Sequence, residues 1–191
     1  MKEKKEKRKL GLILFIIFMM IGTSVSFVFF GFGPQNEVTK YNGIKFTGLQ
    51  GRWEAKINGK IAAFSFLPDE VKGIKAGGTA GRLRDKLEID VTYDSSSKFN
   101  QSIALAQHQM ALTLAQYNIF VRKGFTTNNT FNLPIITCED STISVPVVYF
   151  REGNSTGIYA SGDCIIAEAP SDAGFIEVKD RLLYGILGVI E

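Results

Sequence analysis

Cys138 and Cys164 are the only cysteines in the chain, and their chemistry depends on where they are. They form no CxxC pair, and the single histidine, His108, is remote in sequence, so a tetrahedral metal site lacks ligands. In an exported segment an oxidising exterior favours a disulfide between them. It would close a loop of about 25 residues, worth roughly 3 kcal/mol on the chain-entropy model. Glu139, Asp140 and Asp163 flank the two cysteines. Once bridged they could hold Ca²⁺ with backbone carbonyls, but their spacing fits no calcium loop and turn residues are the simpler reading. His108 would need a nucleophile and an orienting acid, and the chain has no G-x-S-x-G elbow to supply the first. Ser95, Ser96 and Ser97 after Asp94 read as caps for a following helix. The glycines around Gly77, Gly78 and Gly81 lack the Gly-Lys-Ser/Thr ending of a P-loop, so they read as a solvated flexible loop among Lys72, Lys75, Arg82, Arg84 and Lys86. No residue is assigned as catalytic, cofactor-binding or metal-ligating. Asn100, Asn128 and Asn154 begin Asn-x-Ser/Thr triplets and are candidate glycosylation sites, the last two in expected loops.

The elements around these residues follow from hydrophobic periodicity. Phe99, Ile103, Ala106, Met110, Leu114 and Tyr117 form one stripe at helical spacing, with Gln101, Leu105, His108, Gln109, Leu112 and Gln116 opposite. His108 therefore belongs on the outer side of an amphipathic helix lying across a sheet. Residues 43–47, 51–57 and 60–66 alternate as half-buried strands, the last two joined by Asn58-Gly59, a strong hairpin signal. Residues 87–93 alternate in the same way, and 118–121, 134–137, 145–150, 156–160 and 164–168 have β character. A last helix starts near Ser171 or Asp172, and its apolar end, residues 182–190, reads as a buried core helix in preference to a docking surface. Asp180-Arg181 within it fits either an internal ion pair or a partner contact. Single helices among runs of strands give an α+β fold, expected as one antiparallel-sheet domain over residues 43–191 with a central amphipathic helix and a C-terminal helix.

The amino terminus sets the expected address. Lys2, Lys4, Lys5, Lys7, Arg8 and Lys9 precede a run of 23 uncharged, mostly apolar residues, Leu10 to Phe32. At about 1.5 Å per residue a helix of that length crosses the roughly 30 Å core of a bilayer. Basic flanks stay in the cytoplasm, so 1–9 is expected inside, 10–32 as a transmembrane signal-anchor, 33–42 as a stalk and the rest outward. A cleavable signal peptide shares the basic start, but its apolar region is usually about 7–15 residues and this run continues through Phe27, Val28, Phe29 and Phe30. A pilin-type leader cut near Gly11 would place a glutamate where Ile16 stands. The chain holds 22 basic and 19 acidic residues, but beyond the tail only 16 basic against 17 acidic, so no nucleic-acid surface is expected.

Residues 64–71 (Phe64 to Val71), Ile136-Thr137-Cys138, Gly162 to Ile166 and Asp180 to Tyr184 together resemble a group of archaeal single-pass membrane proteins with a small outward α+β domain. The resemblance implies topology and carries no activity, cofactor or site residue. The expected function is a non-catalytic binding or structural module of the cell envelope, tethered to the lipid bilayer, with an envelope protein as partner. The alternatives are an envelope hydrolase built from dispersed Asp, Glu and Ser residues, and a pilin-like filament subunit.

Overall fold

The computed structural model describes residues 15–21 and 37–191. Contacts divide the chain into two units, Met1–Asn36 and Glu37–Glu191. In the first, residues 15–21 are helical (α1) with exposed side chains. The expected tail, the rest of the expected span 10–32, and residues 33–36 of the expected stalk lie outside the described residues. Among the described residues no helix is long and apolar enough to cross a membrane. The remainder of the expected stalk is not a tether: Val38–Tyr41 is strand β1.

The second unit is α+β and begins with an antiparallel meander, β1 with β2 (Ile44–Leu49), β3 (Arg52–Ile57) and β4 (Lys60–Phe64), in that spatial order. Asn58 and Gly59 turn β3 into β4 with φ of 49° and 82°, so Ile57 faces Lys60 and Trp53 faces Phe64. A short helix, α2 (Pro68–Val71), follows, with Glu70 accepting from the Leu67 amide at 2.5 Å.

The second sheet departs from expectation. Its order is β6-β5-β7-β9-β8, comprising β5 (Glu88–Tyr93), β6 (Phe120–Lys123), β7 (Val147–Glu152), β8 (Gly157–Ser161) and β9 (Cys164–Ala169). All pairs are parallel except β8 with β9. The single antiparallel sheet expected from sequence is thus one antiparallel sheet and one mostly parallel sheet. Helix α3 (Asn100–Ala115) links β5 to its neighbour β6, and a helical crossover between adjacent strands makes them parallel. The alternation along β5 pointed the other way because its polar positions are buried. Asp90 and Thr92 are fully buried, one in a bidentate pair with Arg122 at 2.8 and 2.5 Å, the other donating to the Ile136 carbonyl at 2.7 Å.

Those polar groups face a strap, residues 124–146, that covers the side of the sheet away from the helices. The expected strand 134–137 is instead part of this strap, with one bridge between Ile135 and Phe125 and a 3-10 turn at Cys138–Asp140. Ile136 of the strap packs with Val147, Cys164 and Ile166 in a small second core. The Cys138–Cys164 disulfide, Cα to Cα 5.2 Å, ties the strap to β9.

The main core lies on the other side, where α4 (Asp172–Ile186) contacts α2, α3 and β9. Tyr184 stacks on Phe64 with centroids 4.1 Å apart and meets Phe46 edge-on, joining α4 to the meander. The expected flexible glycine loop is also structured: after Gly77 and Gly78 at positive φ, a 3-10 helix over Thr79–Leu83 buries Ala80 and Leu83. Ala80 lies so close to Gly185 of α4 that a Cβ there would stand 2.2 Å from its own.

Candidate functional site

Helix α3 is rich in Ala, Leu and Gln, all good helix formers, and contains no Asp, Glu, Lys or Arg. Ile103, Ala106, Met110 and Leu114 are fully buried, on the stripe read from sequence. The outward face shows Gln101, Ala104, Leu105, His108, Leu112, Ala115 and Gln116 to solvent, with Leu105 48% and Leu112 58% exposed. An exposed helix face usually carries charge, and charge depletion is what distinguishes the centre of an interface from ordinary surface.

Leu112 stands between two recesses. One, about 280 Å³, opens between α3 and the end strand β4, walled by Ile61, Ala63, Leu112, Gln109 and Gln116. The other runs along Ala111, Leu112, Ala115, Ile119 and Val121 towards β6. The β4 edge itself is covered from α3. Thr113 donates to the Ala63 carbonyl at 3.3 Å, and the Tyr117 hydroxyl reaches the Ile57 and Lys60 carbonyls at 3.1 and 3.3 Å.

Phe64, Ser65 and Lys179 also line the first recess. Lys179 of α4 is 1% exposed and donates to Asp180, which is fully buried. The second Asp180 oxygen accepts from the Ser65 and Phe66 amides at 2.8 and 2.9 Å, so one carboxylate joins α4 to the end of β4. Burial pushes the Lys179 amine below its ordinary value, against the pull of Asp180. Burial likewise pushes the Asp180 carboxyl up, opposed by Lys179 and the two amides. Of the two readings open for Asp180-Arg181, the internal ion pair holds for Asp180, but with Lys179 in place of Arg181 as its partner. Arg181 instead donates to the carbonyls of Ile74 and Glu191 at 3.3 and 2.5 Å. A signal existed in the sequence: three consecutive charges in a helix that is apolar nearly all round cannot all reach water.

Charge returns at the border of the face and is mostly basic. Arg52 lines the first recess, Lys56 stands opposite Ile61 in the strand register, Lys60 lies over the Tyr117 ring at 5.8 Å, and Lys123 meets His108 Nδ1 at 3.4 Å. Glu54 bonds Arg52 at 2.7 Å. His108 is exposed, and its nearest polar side-chain partner is the Lys123 amine, with no hydroxyl or thiol among the described residues bonded to the ring.

The carboxyl ends of parallel strands, where open sheets commonly bind ligands, are here engaged with one another. Asp94 accepts from the Ser96 amide and hydroxyl, which holds its carboxyl below the usual range, Glu152 pairs with Lys98 at 2.5 Å, Asp172 accepts from Ser102 at 2.6 Å, and Glu168 pairs with Arg151 and Tyr159. Asp140 folds back on Thr137, whose amide and hydroxyl lie at 2.8 and 3.0 Å and depress its carboxyl. Among the described residues no three of His, Cys, Asp or Glu group as a metal site. Asn100, Asn128 and Asn154 are all exposed, Asn100 as the first residue of α3 and the others outside helices and strands. No family model, no curated protein and no solved structure matches the chain.

Proposed function

We propose that the chain is a membrane-anchored, outward-facing, non-catalytic binding module of the cell envelope, held in the bilayer by residues 10–32 with the basic tail in the cytoplasm. The observation that carries the binding role is the uncharged outer face of α3, with Leu105 and Leu112 exposed beside two recesses. The disulfide supports an oxidising location, and the basic tail beside a bilayer-length apolar run supports the orientation. The partner is another envelope protein, and no nucleic acid or cofactor is involved.

Protease added to sealed cells tests the topology: it should remove a carboxy-terminal tag and spare an amino-terminal one. The opposite pattern overturns the orientation. Intact-mass measurement of the membrane-extracted protein should return the full chain; a chain starting near Gly11, or one shortened by a cleaved signal peptide, would replace the anchor with a filament subunit or a secreted domain respectively.

A further inference from the structure

We infer that the outer face of α3 is the docking surface for a protein element that presents apolar side chains flanked by carboxylates. This rests on the binding-module reading and names the surface and the chemistry of its partner.

Three occupants compete for an apolar face of this kind: a lipid surface, a second copy and a different protein. Gln109 and Gln116 line the first recess, and hydrocarbon offers amides no hydrogen-bond partners. The Gln109 Oε1 is already shielded from solvent and has no hydrogen-bond partner. A face with recesses on both sides of Leu112 accepts projecting side chains, whereas a lipid surface supplies none. A second copy docking through the same face would bring Lys56, Lys60 and Lys123 against themselves, Arg52 being already paired with Glu54. Beyond the tail the chain is nearly balanced, 16 basic residues against 17 acidic, so this border is a local asymmetry. It complements acidic residues on a different protein. Strand addition is also disfavoured, because Thr113 already occupies the Ala63 carbonyl on the β4 edge. The partner therefore enters over α3 with apolar side chains in the two recesses and carboxylates towards the basic border.

The test places p-benzoylphenylalanine at Leu105, Gln116 or, on the strap, Ile143 of the full chain in intact cells, and sequences the cross-linked peptides. Positions 105 and 116 should yield an adduct with one other protein, whose cross-linked peptide contains apolar residues flanked by Asp or Glu. Lys56→Glu with Lys123→Glu should cut that yield by about tenfold or more. An intact Cys138–Cys164 bond on non-reducing gels certifies that the variant is folded. An adduct with lipid or with a second copy, a partner peptide without acidic flanks, or a yield indifferent to the charge reversal overturns the inference. Adducts at 143 alone would refute this surface while leaving a binding module in place; no adduct at any of the three positions would count against both.

Discussion

Asp180→Ala should be among the most destabilising single changes in the second unit. The carboxylate is fully buried, pairs with a lysine that is 1% exposed, and accepts from two backbone amides at 2.8 and 2.9 Å. Removing it strands a buried amine and two amides at the joint between β4 and α4. Loss of one partner of a buried ion pair costs about 3–5 kcal/mol, and each unsatisfied amide about 1–3 kcal/mol. The costs overlap because the chain would relax locally, so the expected loss is about 4 kcal/mol, read as a fall in the urea midpoint of the detergent-solubilised protein. Asp180→Asn sharpens the test, since it keeps an acceptor and removes the charge. Lys179 then loses the interaction that opposed its desolvation, and its amine drops further below 10.5. The unfolded state then binds more protons than the folded state between that lowered value and 10.5, so the variant should gain stability as pH rises through that window. A loss below about 1 kcal/mol for Asp180→Ala, or no pH-dependent recovery for Asp180→Asn, would refute Asp180 as the joint.

Gly185→Ala should cost about 1–3 kcal/mol in the same assay, since the new Cβ meets that of Ala80, and Ala80→Gly should restore most of it. Cys138→Ser with Cys164→Ser should cost about 3 kcal/mol and expose the strap, measured as faster proteolysis within residues 124–146. His108→Ala should change stability by no more than about 0.5 kcal/mol, because the ring is exposed and its polar neighbour is a surface lysine.

What could be read from the sequence was whatever local pattern determines. The inner stripe of α3, the Asn58-Gly59 hairpin and the cysteine pairing all follow from spacing or composition. The direction of the second sheet was not legible, because Asp90 and Thr92 mimic a wetted strand face while being satisfied by Arg122 and Ile136. The strap escaped notice for the same reason: its backbone closes one sheet face without forming strands of its own. Half of the candidate site was visible in the glutamines and leucines opposite the α3 core. The recesses and the basic border were not, since they arise where β4 and β6 meet α3.

The most direct test of the account is labelling of introduced cysteines by a membrane-impermeant maleimide, comparing Gln116→Cys on α3 with Ile143→Cys on the strap. Both positions are exposed in the isolated chain. In intact cells Ile143→Cys should label readily and Gln116→Cys should be protected, and after purification the two should label alike. Equal labelling in cells would show α3 uncovered and contradict the binding face, and no labelling of either until lysis would contradict the outward topology.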